Sequence, residues 1–276
     1  MVLATRFAPS PTGHLHLGHA FSALTAFDWA RGAGARFLLR IEDLDAGRCR
    51  PAYEAAVHED LGWLGLSWET PVRRQSEHMA DYGRALSRLI ADGLVYRCFK
   101  TRKDLLADSA GAPHGPGETV RGGPLAPGDE AALLAEGRPF AWRLWLDRAR
   151  DALGSRWGAL SFESDGAEIG ADPARLGDAI LARKDFLASY HLASVLDDAA
   201  QSVSDVIRGE DLREAAHLHV LLHALLDLPT PRYHHHQLIL GPDGKRLAKR
   251  DAAQTLRALR AAGRTPQDIR AIVGLT

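Results

Sequence analysis

The stretch from Thr5 to Ile41 restricts the fold more than any other part of the 276-residue chain. Thr5 to Ala8 reads as a short strand that enters Pro9-Ser10-Pro11-Thr12-Gly13, where two prolines and a glycine forbid regular structure. Leu17, Phe21, Leu24, Phe27 and Trp29 then approximate helical spacing up to Arg31, and Gly32 and Gly34 supply a stop. Arg36 to Ile41 has the apolar run of a buried strand. Strand, loop, helix, strand is the βαβ order of a parallel sheet, so an α/β fold is predicted.

Pro51 to Leu64 and Glu77 to Leu94 look helical, with Pro51 suited to a first turn and Gly93 near the second end. From Ser109 to Gly128, six glycines and four prolines with little periodicity predict an exposed loop inside an inserted module. Phe140 to Leu146 alternates as a strand, and Asp178 to Lys184 leads to a second sheet region at Tyr190 to Ile207. A helix at Glu214 to Leu226 precedes a strand near Gln237 to Leu240. The predicted organisation is a parallel-sheet nucleotide-binding α/β domain in two halves, 1–97 and 186–240, interrupted by a smaller α+β module at 98–185. A loop and a short helical tail occupy 241–276.

Composition narrows the function classes. Hydrophobic residues make up 46% of the chain and charged residues 25%, which excludes disordered and fibrous architectures. No apolar run approaches the length of a membrane span, since even Val220 to Leu228 is broken by His223 and Asp227. Met1 to Phe7 lacks the apolar region of a secretory signal. Cys49 and Cys98 are the only cysteines and neither lies in a Cys-x-x-Cys pair, so a disulfide scaffold is excluded and a reducing cytoplasm fits.

Two motifs carry chemistry. His16-Leu17-Gly18-His19 opens the first helix, where unpaired N–H groups and the positive dipole end favour a phosphate. Gly18 leaves room for a flat ring to approach the backbone, and the two imidazoles share one helix face. Capping histidines are the plain alternative, and a metal site is a third, although no carboxylate completes it at helical spacing. The second motif is Lys245-Arg246-Leu247-Ala248-Lys249-Arg250 after the turn Gly241-Pro242-Asp243-Gly244. Only five of the 34 Lys and Arg residues are lysines, and two of those five fall in these six positions. Such a cluster suits a polyanion that gains charge during reaction, with a solvated basic turn as the alternative. Net charge is −1, so any nucleic-acid contact must be local, and the eight basic residues between Lys245 and Arg270 are the candidate. The histidines at 217, 219 and 223 on the predicted helix, and the run 234–236, are read as other than metal ligands; for the run, consecutive strand residues alternate faces.

Together, the HxGH (HIGH-type) motif and the KMSKS-like loop resemble the class I aminoacyl-tRNA synthetases. The resemblance narrows to the glutamyl branch at Arg6 to His19, at Leu39-Arg40-Ile41-Glu42-Asp43-Leu44-Asp45, at Asp197-Asp198 and at Val206-Ile207-Arg208-Gly209-Glu210-Asp211-Leu212. It implies a Rossmann-like catalytic domain that uses ATP, with Mg²⁺, to activate L-glutamate as glutamyl adenylate. By the same analogy Arg6, Phe7, Ala8, Pro9, Ser10, Glu42, Tyr190 and Arg208 line the amino-acid pocket. His16, Gly18, His19, Lys245, Arg246 and Lys249 serve ATP. The residue types suit the substrate: two guanidinium forks for two carboxylates, and an anion for the ammonium. Arg208–Glu210 and Arg40–Glu42 ion pairs are the ordinary alternatives.

Only 26 residues follow Arg250, too few for an anticodon-binding domain, which points to the glutamyl-Q tRNA(Asp) synthetase family. That family activates glutamate without tRNA and transfers it to queuosine at the wobble position of tRNA(Asp). The alternatives are a catalytically silent tRNA-binding paralogue and a truncated glutamyl-tRNA synthetase. A monomer without membrane partners is expected. The chain departs from the family pattern at Arg246 and Ala248, where lysine and serine are usual. It departs again at the family's zinc site, of which only Cys98 remains, with Lys100 in the second position. One thiolate cannot close a tetrahedral site, so zinc is predicted absent, with packing through Tyr96, Phe99 and Trp142 in its place.

Overall fold

A computed structural model describes residues 2–100, 121–183, 188–239 and 255–275. The first half follows the βαβ order read from the sequence. Strand β1 (Ala4–Phe7) leads through the proline loop to helix α1 (Leu17–Ala33), then β2 (Arg36–Ile41), α2 (Pro51–Trp63) and β3 (Glu69–Arg74). These strands form a parallel sheet in the order β1-β2-β3. Helix α1 ends at Gly34 in the left-handed conformation, as the glycine stop predicts. Its buried Ala20, Ala23, Leu24 and Ala30 share a core with Phe37, Leu39 and Ile41 of β2 and Leu61 of α2.

The expected helix from Glu77 to Leu94 is divided: a 3₁₀ turn at Gln75–His78 precedes α3 (Met79–Ala91). Next come β4 (Val95–Cys98), α4 (Pro127–Ala135), β5 (Ala141–Leu144), α5 (Leu146–Leu153), α6 (Ser155–Gly158), β6 (Ser161–Ser164), β7 (Ala167–Gly170) and β8 (Ile180–Arg183). β4, β5 and β8 form an antiparallel sheet. Within it Arg97 sits over the rings of Trp142 at 4.6 Å and Phe140 at 5.4 Å, and Phe99 packs on Phe140. Asp178 ties the sheet to its flanks by accepting from Tyr96 Oη, Gly122 N–H and Leu146 N–H. Cys98 is buried on β4, and a single thiol with Lys100 two residues on does not fit a four-ligand zinc site.

The second half contains α7 (Tyr190–Ala200), β9 (Asp205–Gly209), α8 (Ala215–Leu226), β10 (Arg232–His236), α9 (Leu256–Ala261) and α10 (Pro266–Ile272). Two expectations are corrected here. Tyr190 to Ala200 is helical rather than part of a sheet region: Leu192, Ala193, Val195, Asp197 and Asp198 are all buried, so burial around the helix hides the 3.6-residue period. The strand near Gln237 to Leu240 lies earlier, at Arg232–His236, and contains the three consecutive histidines. Its polar residues are accommodated by parallel pairing with β9 and by ring contacts: His234 with Trp29, and His236 with Phe21, both on α1.

The second sheet runs β7-β6-β10-β9. Its β6–β7 hairpin turns at Asp165-Gly166, both at positive φ, an Asp-Gly signal that the sequence displays between two short strands. β6 then pairs parallel to β10, so a hairpin from within 98–185 extends the sheet of the second half. The parallel first sheet and the mixed second sheet meet where Ser204 N–H donates to Ala4 O, beside β1. The chain progresses outward from this seam in both directions, through β1-β2-β3 on one side and β9-β10 on the other. A crevice at the carboxyl ends of the strands is expected at such a switch in strand order.

Candidate active site

The proline loop is tied to the rest of the domain by its carbonyls. Pro9 O accepts from Glu42 N–H at 3.0 Å and Pro11 O from Arg50 N–H at 3.1 Å. Phe7 and Pro9 are buried, Ala8 is half-buried and Ser10 exposed. The loop thus passes over the end of β2 and delivers His16 to the N-cap of α1.

The two histidines of the HxGH motif cap that helix. His16 Nδ1 accepts from Gly18 N–H at 3.1 Å, and His19 Nδ1 accepts from His16 N–H at 3.2 Å. An imidazole that accepts at Nδ1 carries its proton on Nε2, so the capping bonds fix both rings as Nε2–H donors. A Cβ on Gly18 would lie 3.0 Å from His16 Cε1. The ring whose approach calls for glycine is therefore the motif's own histidine.

The residues after the basic loop return to this place. Thr255 forms an antiparallel bridge with His16, and Leu256 N–H donates to Leu15 O at 2.8 Å. On the near side, His236 Nε2 lies 2.9 Å from Ser22 Oγ of α1. Lys245, Arg246 and Lys249 themselves lie outside the described residues, but both flanks of their loop rest on α1. Among the described tail cations, Arg260 is paired with Glu59, and Arg270 forks onto Asp28 at 2.7 and 2.9 Å. Those two arginines stitch α9 and α10 to the domain, while Arg257 and Arg264 are exposed.

Arg6, on β1, is buried and spent on Asp198, with Nε to Oδ1 at 2.9 Å and Nη2 to Oδ2 at 3.4 Å. Arg40 shares the same carboxylate, with Nη1 to Asp198 Oδ1 at 2.7 Å, and reaches Glu42 Oε1 at 3.3 Å. Asp197 next door receives Arg73, Gln75 and Tyr82. Burial works to raise the Asp198 pKa, but the guanidiniums of Arg6 and Arg40 prevail and hold its carboxyl well below the usual range. Glu42 is different. Burial pushes its pKa up against the attraction of Arg40 and Arg6, so a further cation beside it would stabilise its ionised form.

Arg208, the last residue but one of β9, is 5% exposed and forms no ion pair among the described residues. Its Nε donates to His235 Nε2 at 3.3 Å, its Nη1 lies 3.4 Å from His219 Nδ1, and its Cζ sits 4.9 Å from the Tyr233 ring centroid. Nη2 is buried without a hydrogen-bond partner. Burial, and then the charge of Arg208, push His235 down to about 3 and His219 well below its ordinary value. His191, against His219, is pushed down to about 4 by the same causes. Tyr190 opens α7 with its ring 5.7 Å from that of His219. The charges of Arg6 and Arg208 both act on His219 and Tyr233. The structure thus brings Tyr190 and Arg208 to the His219 ring, and Arg208 also to that of Tyr233, with the charge of Arg6 acting on both rings and Glu42 beside Arg40. It adds Arg40, Asp197, Asp198, His219, Tyr233 and His235 as the residues that hold them. Of these, the Arg40–Glu42 pair was open to sequence reasoning and is formed at 3.3 Å; so was the alternation of faces along 233–235, where Tyr233 and His235 share a face and their rings are parallel.

A family model for tRNA synthetases class I (E and Q), catalytic domain, matches residues 2–276. A glutamyl-Q tRNA(Asp) synthetase of Rhodobacter capsulatus is 48% identical, over 99% of this chain and 100% of its own length. One from Nocardia farcinica is 42% identical over 98% of this chain and 83% of its own. A solved glutamate tRNA ligase from Elizabethkingia meningosepticum, in complex with its amino acid, superposes with a TM-score of 0.71 at 28% identity over 91% of this chain. This chain spans about half of that ligase, 52%.

Proposed function

The chain belongs to the class I tRNA synthetases of the glutamate and glutamine type, in the glutamyl-Q tRNA(Asp) synthetase family, and from that premise we propose that it activates L-glutamate without tRNA and transfers it to queuosine at the wobble position of tRNA(Asp). It is an ATP-dependent ligase. In the first step an oxygen of the glutamate α-carboxylate attacks the α-phosphorus of ATP. The bond from that phosphorus to the bridging oxygen breaks, and pyrophosphate leaves with the electron pair. Glutamyl adenylate remains. No enzyme nucleophile is needed, so the side chains act by positioning and by stabilising charge.

The observation that carries the reading is Arg208: a buried guanidinium that, among the described residues, has an unpartnered Nη2 and no carboxylate in ion-pair contact. A substrate carboxylate suits that place. Arg6 is assigned a different part from the one its residue type suggests, because its Nε and Nη2 are held by Asp198. It contributes positive potential to the pocket instead. Tyr190 walls the pocket, Glu42 faces the ammonium, and Phe7, Ala8, Pro9 and Ser10 give the backbone path beneath it. His16 and His19, as Nε2–H donors at the N-terminus of α1, serve the triphosphate, with Gly18 leaving space for the His16 ring. Lys245, Arg246 and Lys249 supply cations from the loop whose flanks rest on α1. Mg²⁺ accompanies ATP in this reading, and the described residues offer no cluster of three metal-ligating side chains for it. The insertion is held without zinc by the Arg97–Trp142–Phe140 stack and the bonds to Asp178. Metal analysis finding one tightly bound zinc per chain would overturn that part.

No helix among the described residues is long and apolar enough to cross a membrane, and the reaction is assigned to the cytoplasm. The test has two stages. Glutamate-dependent exchange of pyrophosphate with ATP, without tRNA, is expected; its absence favours a silent tRNA-binding paralogue. Mass spectrometry of nucleosides from reacted tRNA(Asp) then shows whether queuosine gains a glutamyl group. Label found instead at the 3′ end of tRNA(Glu) would replace this reading with a truncated glutamyl-tRNA synthetase.

A further inference from the structure

Arg208 donates hydrogen bonds and cannot accept them. That single fact orients every polar group around it. His219 Nδ1 must accept from Arg208 Nη1, so the His219 proton sits on Nε2 and is donated to His191 Nδ1 at 3.1 Å. On the other side, His235 Nε2 accepts from Arg208 Nε, so its Nδ1–H points to Ser164 Oγ at 3.4 Å. Ser164 in turn donates to Asp165 Oδ2 at 3.3 Å, and Asp165 is paired with Arg213. Along the side chains the Asp165 carboxylate is two groups removed from Arg208, and it is already engaged by Arg213 and by the backbone N–H of His235 at 3.1 Å. Asp198 is shared between Arg6 and Arg40. The guanidinium is held in place by two imidazole acceptors, each of which must be neutral to accept.

We propose that His219 and His235 are positioning residues for amino-acid selection: they fix Arg208 through neutral acceptors, so that its charge is answered only by the side-chain carboxylate of an acidic amino acid. The assignment to the side-chain carboxylate follows from the chemistry. The α-carboxylate is the nucleophile, and a buried ion pair to it would oppose attack on phosphorus. This inference rests on the proposed glutamate activation. Its consequence is discrimination against the amide, because a carboxamide would leave the buried charge uncompensated. An acidic residue at 219 or 235 would hold Arg208 equally well and abolish the reason to prefer an acid.

Charge and shape are separable here. Asn and Asp at 219 both place an oxygen where Nδ1 now lies, and Gln and Glu at 235 both place one near Nε2. Each pair differs in charge alone. The experiment measures kcat and KM for pyrophosphate exchange in the full chain with glutamate and with glutamine, together with urea midpoints. H219N and H235Q are expected to keep the preference for glutamate within about threefold of the parent, whereas H219D and H235E lower it by about tenfold or more, chiefly through a raised KM for glutamate. The acidic variants are also expected to have urea midpoints at or above those of their neutral counterparts, because each adds an anion beside an uncompensated buried guanidinium, so a lost preference is not a loss of folding.

Equal discrimination by the acidic and neutral members of both pairs overturns the inference, as does a loss confined to kcat. Two independent positions carry the test, so misfolding of one variant leaves the other decisive. A parent protein without glutamate-dependent exchange overturns the functional reading itself. Exchange in the parent combined with unchanged discrimination in H219D and H235E overturns only the role of the histidines.

Discussion

Arg40 and Arg208 lie on parallel-paired strands of the two sheets that meet beside β1, at 0% and 5% exposure, yet one is surrounded by carboxylates and the other by imidazoles. Arg40 reaches Asp197, Asp198 and Glu42, and Arg6 and Arg73 join the same cluster. These bonds link β1, β2 and β3 to α7, so the charges there are compensated by the scaffold itself. Around Arg208 the fold supplies acceptors without charge. A compensated buried charge holds elements together, and an uncompensated one is available to a ligand. Residue type does not separate the two cases, since all are arginines on strands.

The comparison is broken most directly at Asp198. Asp198→Asn leaves two buried guanidiniums short of an anion, and a stability loss of about 3–5 kcal/mol is expected. Urea unfolding measures it, and a loss no larger than that of an exposed substitution would remove the distinction between the sites. Arg208→Gln has the opposite profile. It relieves an uncompensated buried charge, so the urea midpoint is expected to hold while glutamate-dependent exchange falls by about a hundredfold. Equal destabilisation by the two variants would show that Arg208 belongs to the scaffold.

Acidification separates the sites by pH window. His191 and His223 are pushed down to about 4 and His235 to about 3, in each case first by burial. Unfolded histidine titrates near about 6.5, so below that pH the unfolded chain binds protons that the native chain refuses. Stability is therefore expected to fall as pH drops from about 6.5 towards 4. Asp198, whose folded pKa is depressed, contributes stability above the unfolded carboxylate value near about 3.9, and this is lost as pH falls further. Unfolding free energies between pH 7 and 4 test the histidine window, and His223→Leu is expected to reduce the slope by about one proton. A flat profile there would mean that the imidazoles are charged in the native state.

The smallest effect sharpens the picture of the scaffold. Tyr82 Oη donates to Asp197 at 2.9 Å, but Arg73 and Gln75 also serve that carboxylate. Tyr82→Phe is expected to cost about 1 kcal/mol in unfolding free energy and to leave the KM for glutamate unchanged. A shift in KM would couple the scaffold to the pocket more tightly than the geometry implies.

The βαβ order, the glycine stop of α1 and the HxGH and basic motifs could be read from the chain because they rest on local causes: proline and glycine geometry, helical spacing and clustered charge. Helix α7 could not, because burial of Asp197 and Asp198 depends on arginines from β1, β2 and β3, far away in the chain. The pairing of β6 with β10 was equally hidden, although the Asp165-Gly166 turn itself was local. Sequence established that arginines, histidines and an acidic pair would be present. Only tertiary packing decided which arginine would be compensated, since that depends on which partners are desolvated together, and it left Arg6 bound to Asp198 and Arg208 facing neutral rings.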